Sequence, residues 1–344
     1  MSPVSPGEGA GPALGPGRAD SEAKRASLAA RGNGRGNGRR NRVRGSMVPE
    51  AEFRSYYGQP IIKEPVWTWE VPWYFFVGGL AGGSATLGLG ARLAGHDRLA
   101  SNAMATAAVA GTLGVPLLIS DLGRPERFHH MLRMFKVTSP LSVGSWILAV
   151  LGPSAVNAAL TERFGIFPRL GRAAEVVAGL AGPWLATYTG VLVADTAVPV
   201  WHEAGTELPF VFAGSAAASA GAAALILTPE DAGPGRRLAV TGALLELGAV
   251  QVMERRLGEL GEPYHEGPAG RFARAAKVCT TVGAGLVTAA GGRRRGPALA
   301  GAALMLAGSV CERWAVYKAG FQSARDPKYI VKPQRARLEA RAGS

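Results

Sequence analysis

From residue 72 onward the apolar and polar positions fall into long blocks. Eight apolar segments, near 72–93, 99–119, 142–162, 172–194, 207–227, 237–255, 272–291 and 297–317, are separated by short polar stretches. Each approaches the roughly 20 residues that a helix needs to cross the hydrocarbon core of a bilayer. The pattern predicts an all-α membrane protein with about eight transmembrane helices. Gly and Ala recur inside the blocks, as in Gly78-Gly-Leu-Ala-Gly-Gly83, Ala213-Gly-Ser-Ala-Ala-Ala-Ser-Ala-Gly221 and Gly283-Ala-Gly285. In lipid the hydrophobic effect does not drive helices together, so small residues that let backbones touch take over that role. A closely packed bundle is therefore expected. Two blocks are weaker: the fifth is nearly all Ala and Gly, and the sixth carries Glu246, Gln251 and Glu254.

The flanks are different. Residues 1–66 are rich in Gly, Pro, Arg and Ser, and Arg31-Gly-Asn-Gly-Arg-Gly-Asn-Gly-Arg-Arg40 is low-complexity. Such a composition buries too little surface to offset chain entropy, and it predicts a disordered basic tail without the apolar core of a signal peptide. The net charge of +13 sits mostly in this tail, in the loops and in the basic C-terminal stretch 321–344. A basic flank beside a membrane domain is an orientation signal or an anionic-lipid contact, and no nucleic-acid partner is expected. An even number of spans puts both termini on one side. That side then carries three longer loops: 120–142, the acidic 195–207 and 254–271. The opposite side has short turns that also hold several arginines, which leaves orientation open under the positive-inside rule. The 120–142 loop is the most distinctive. A tight Asp121-Leu-Gly-Arg-Pro125 turn leads into an amphipathic stretch with Arg127, His129, His130, Arg133 and Lys136, and Thr138-Ser-Pro140 restarts the next helix. It has the composition of a docking surface.

Candidate chemistry is sparse. Cys279 and Cys311 lie in apolar segments without metal-ligand spacing, so neither a zinc ion nor an iron–sulfur cluster is expected. All five histidines fall in loops or at helix ends, whereas a haem-binding membrane cytochrome needs axial histidines within its helices. The first helix opens with Trp67-Thr-Trp-Glu-Val-Pro-Trp-Tyr74, where the aromatic residues suit a membrane interface. Glu70 among them either faces water or is hydrogen-bonded inward, and in the second case it is a candidate for proton exchange. Tyr188 lies at helical spacing from Trp184 and Asp195, which predicts one shared face. Its hydroxyl needs a partner, either structural or a quinone carbonyl. In the second half Glu246, Lys277 and Glu312 fall at membrane depth. They should face inward, with Glu246 and Lys277 as a possible pair, serving as a proton path or a static ion pair.

Taken together, the Trp67–Tyr74 run, Gly79-Leu-Ala-Gly-Gly83, Asp121-Leu-Gly-Arg-Pro125, Thr138-Ser-Pro-Leu-Ser-Val-Gly-Ser-Trp146, Tyr188-Thr-Gly190, Ala197-Val-Pro-Val-Trp-His202 and Ala319-Gly-Phe-Gln-Ser-Ala-Arg-Asp-Pro327 resemble the NrfD family of polysulfide-reductase-type membrane subunits. The resemblance implies a cofactor-free subunit of the cytoplasmic membrane with two four-helix bundles, over 67–200 and 201–320. It implies a ferredoxin-like 4Fe-4S partner, a molybdopterin catalytic subunit, and quinone as substrate. Carried over, the quinone site is Tyr74, Asp121, Arg124 and Tyr188, with Glu70 or Asp121 exchanging protons. Tyr74 stands where some relatives have a histidine. Arg124, Arg127, His129, His130, Arg133 and Lys136 are then the docking residues. Two other readings remain: an ion- or proton-translocating protein using Glu246, Lys277 and Glu312, and a purely structural anchor.

Overall fold

The computed structural model describes residues 61–291 and 294–342, all within the unit Arg44–Ser344. Most of the expected disordered tail, residues 1–60, lies outside the described residues. The described chain is helical and contains no strand. Its helices are α1 (Glu70–Leu93), α2 (Asp97–Ser120), α3 (Pro140–Phe164), α4 (Pro168–Ala194), the short α5 (Pro199–Glu203), α6 (Leu208–Leu227), α7 (Ala232–Leu257), α8 (Gly267–Ala290), α9 (Arg295–Arg325) and α10 (Lys328–Ala342). Each of the eight apolar segments falls on one long helix.

Among the described residues five helices, α2, α3, α4, α6 and α9, are long and apolar enough to cross a membrane. The segment expected to be weak, now α6, is the most apolar of the five. Alanines add up over its 20 residues because no charge interrupts them. The C-terminal stretch also differs from a plain tail. α9 continues to Arg325, and α10 follows with Tyr329 buried.

Local signals set the boundaries. Ser139 caps α3 by accepting from the Ser142 amide, and Pro140 occupies the first turn, where its missing N–H costs nothing. α3 ends at Gly165 in the left-handed conformation, with φ of 65°. The Thr-Ser-Pro restart read from the sequence is thus a capped helix start.

Helix hairpins α1/α2, α3/α4, α6/α7 and α8/α9 pack side by side, and α1 and α6 join the two halves. Bare backbone makes these contacts possible. A Cβ on Gly82 would meet the Gly182 carbonyl and the Ala186 amide of α4, while one on Gly83 would meet the Ala216 carbonyl of α6. On another face of α1, Gly88 lies against Ala100 and Met104 of α2. α1 therefore touches three neighbours through glycines.

At the short-loop end Arg92 draws the first four helices together. Its guanidinium reaches Glu175 at 2.9 Å, Asp97 at 2.8 Å and Glu162 at 2.8 Å. Glu175 is buried, so the arginine neutralises a carboxylate that would otherwise be costly there.

Gly182→Val should destabilise the bundle by about 1–3 kcal/mol, the usual range for overpacking. Gly90→Val, whose Cβ would meet nothing within 4 Å, serves as the control. Thermal unfolding in detergent checks this; equal midpoints for the two variants would refute the close-approach reading.

Candidate functional site

The first turns of α1 and the last turns of α4 meet below the loop-rich face. There the hydroxyls of Tyr74 and Tyr188 hydrogen-bond to each other, with ring centroids 6.5 Å apart. Both rings are buried. A Cβ on Gly144 of α3 would fall inside the Tyr188 ring, so that glycine is what admits the side chain. A pair of hydroxyls uses only one of its two protons internally. One O–H and several lone pairs remain available to a third group.

One turn before Tyr74, Glu70 is buried and turned inward. The Thr68 hydroxyl contacts both Glu70 and Asp121, the latter at 2.8 Å, and the Thr68 amide donates to the same Asp121 oxygen at 3.1 Å. The two carboxyls proposed for proton exchange are thus bridged by one threonine, which the sequence reading passed over. Its only sequence signal is its place between two tryptophans and immediately before Trp69-Glu70.

The shared face expected for Trp184 and Tyr188 is not found. Trp184 is 67% exposed, and Tyr188 is 6% exposed. Four helical residues advance the direction by about 40° beyond a full turn, and Tyr188 already sits at the edge of the buried arc. That rotation is enough to put Trp184 outside. The tryptophans at the start of α1 also divide. Trp69 and Trp73 are exposed, whereas Trp67 stacks on Trp201 at 5.3 Å. Trp201 is fully buried and donates to the Val316 carbonyl at 2.7 Å, over a Gly320 that leaves room for its ring.

The docking candidates lie together on the loop-rich face. A 3₁₀ helix, Pro125–Leu132, has no buried residue. Arg124, Arg127, His129, His130, Arg133 and Lys136 are all exposed. Exposed Phe128, Met134, Phe135 and Val137 alternate with them.

In the second half Lys277 does not pair with Glu246. It reaches Glu254 at 2.6 Å, because the α7–α8 crossing brings that end of α7 over it. Glu246 instead lies within electrostatic reach of Glu312 and Arg313, beside Ser215 and Thr280. Arg313 is buried, with its guanidinium 3.8 Å from the Phe212 ring centroid and one nitrogen 3.0 Å from the Phe212 carbonyl. Its Nε and Nη1, the Oε2 of Glu246 and the Oγ1 of Thr280 are buried without a hydrogen-bond partner among the described residues.

A cavity of about 510 Å³ opens elsewhere on the loop-rich face, lined by Asp195, His202, Leu260, Tyr329 and Ile330 among others. It lies under α10 and away from the tyrosine pair. Lys328 holds α10 by an ion pair with Glu262 at 2.7 Å. That hydrogen bond keeps the Glu262 carboxyl below its ordinary range and raises the Lys328 ammonium above its own.

A family model described as "Polysulphide reductase, NrfD" matches residues 60–253, more than half of the chain and all of α1 to α6. A comparison with curated proteins finds no match.

A depressed carboxyl stabilises docking above its ordinary pKa and stops doing so as pH falls through the folded value. A raised ammonium contributes below its ordinary pKa and is lost at still higher pH. Docking of α10 should therefore hold from roughly pH 4.3 to 10.4 and loosen below that window. A nitroxide at Leu338→Cys should gain mobility on acidification, and Glu262→Gln should show part of that gain at neutral pH, since buried Tyr329 and the Lys332–Glu259 pair still hold the helix. A spectrum unchanged in both conditions would refute this.

Proposed function

The chain belongs to the NrfD family, and we propose that it is the quinone-reactive membrane anchor of a multi-subunit oxidoreductase. In this reading all eight long helices span the cytoplasmic membrane as two four-helix bundles, over 67–200 and 201–320. Electrons pass between a quinol and a ferredoxin-like 4Fe-4S subunit on the loop-rich face, and a molybdopterin subunit completes the complex. The observation that carries the reading is the buried Tyr74–Tyr188 hydroxyl pair, one helical turn from Glu70. A quinone carbonyl accepts a hydrogen bond from the O–H that the pair does not use internally.

Quinol oxidation releases two electrons and two protons, so the site also needs a proton exit. Thr68 contacts both Glu70 and Asp121 between the tyrosines and the loop-rich face. A threonine hydroxyl has one proton and two carboxyl neighbours here. Its second contact is complete only when one of the carboxyls carries a proton, which suits a relay. Arg124 and the exposed segment from Arg127 to Lys136 present cations and apolar side chains together, as a docking partner requires.

A second reading has its own support. Glu246, Glu312 and Arg313 are buried close together, and ionisable groups at that depth are costly unless water or a moving proton visits them. A proton path through Glu246 and Glu312 uses these groups and would couple quinol turnover to translocation.

Tyr188→Phe removes one hydrogen bond and should lower quinol-linked turnover by roughly tenfold, for a loss near 1.5 kcal/mol. The iron–sulfur partner should still co-purify. Unaltered turnover would overturn the quinone assignment. For the second reading, Glu246→Gln should lower the number of protons moved per electron in proteoliposomes while turnover continues. An unchanged ratio would mark the cluster as static.

A further inference from the structure

At the short-loop end of the second half, α6 gives way to α7 and α8 to α9. Arg236, Arg294 and Arg295 gather there around a cleft whose apolar wall includes Leu225, Val287 and Leu299. We infer that this cleft holds the phosphate of an anionic phospholipid, with an acyl chain lying along the apolar wall.

The charge balance of this end leads to that ligand. At this end of the first half Arg92 pairs with Asp97, Glu162 and Glu175, and Arg172 also reaches Glu175. The two acids nearest the cleft are also taken. Asp231 pairs with His96 at 2.8 Å, and Glu230 pairs with Arg98 at 3.6 Å. No acidic side chain among the described residues is left within ion-pair distance of Arg236, Arg294 or Arg295. Three arginines that line one cleft, with no carboxylate among the described residues to pair with them, place like charges side by side, and a shared anion relieves that repulsion. Guanidinium forks match the oxygens of a phosphate well.

The level of the cleft decides between a lipid and a soluble anion. α6 and α9 are both apolar enough to cross a membrane, and the cleft lies at the ends of both. That is the height of the lipid phosphates. Leu227 and Leu299, exposed on the neighbouring surface, are placed for acyl chains. A free phosphate would leave them in water, whereas a phospholipid covers them and neutralises the arginines together. Basic clefts between helix ends bind anionic headgroups for the same reason.

The test uses the full-length protein in detergent and native mass spectrometry with added phosphatidylglycerol, phosphatidylcholine or inorganic phosphate. Wild type should retain phosphatidylglycerol over phosphatidylcholine. The triple variant Arg236→Gln, Arg294→Gln, Arg295→Gln should retain it roughly tenfold less or weaker still. Arg237→Gln, a neighbour that does not line the cleft, should behave as wild type. If the triple variant does not insert, the three single variants make the same comparison. Equal retention by the cleft variants and wild type would overturn the assignment. So would indifference to headgroup charge, or displacement of the lipid by millimolar phosphate, which would make the ligand a soluble anion.

Discussion

Direct backbone contact between helices is the constraint on which the rest of this structure depends. Helices in lipid gain little from burying apolar side chains, so association relies on van der Waals contact at short range. Gly82 against Gly182 sets how near α1 comes to α4, and Gly214 against Glu246 and Gly242 against Ala218 do the same for α6 and α7. Gly283 and Gly301 repeat the arrangement for α8 and α9. The tyrosine pair follows from the first of these contacts. α1 and α4 run antiparallel, and Tyr74 and Tyr188 lie two turns or so from the glycine crossing, towards the same end. At that close approach the phenols of Tyr74 and Tyr188 meet through their hydroxyls. The site is thus a product of packing as much as of its polar residues.

The two halves handle charge differently. The first gathers its carboxylates around Arg92 at one end and around Thr68 at the other, both near the ends of helices where hydration is close. The second places Glu246, Glu312 and Arg313 deep inside, with one carbonyl and one aromatic face as the guanidinium's direct partners. A cation over the Phe212 ring recovers part of the desolvation cost, but the ring offers no acceptor for Nε or Nη1. Buried ionisable groups of this kind are retained for what they do more often than for the stability they add.

The helices were legible in the sequence because an apolar run of about 20 residues leaves few alternatives. Their start and stop signals, such as Ser139-Pro140 and Gly165, were equally local. What could not be read was rotation. Assigning Trp184 and Tyr188 to one face failed over about 40° of helical drift, and pairing Lys277 with Glu246 failed because matching depth does not imply matching direction. Contacts across long separations were also out of reach. The Tyr74–Tyr188 bond spans 114 residues, and the Thr68–Asp121 bond spans 53. Each required knowing which helices are neighbours. The family resemblance supplied those candidates, and the geometry added the threonine between the carboxyls.

Tyr74 and Phe75 show why the halves cannot be treated as separate. Adjacent residues on a helix point about 100° apart, so Tyr74 turns into the first half while Phe75 turns towards the second. Phe75 lies 5.7 Å from Phe212, the ring that carries Arg313, and 6.4 Å from Trp67, which stacks on Trp201. Phe75, Phe212 and Trp201 are fully or almost fully buried, and close-packed interiors do not absorb a shift in one member locally. A change in the position of α1 at the phenol pair is therefore also a change beneath the buried guanidinium. The glycines that bring α1 against α4 on one side and α6 on the other make that linkage unavoidable, because neither contact leaves room for α1 to move alone.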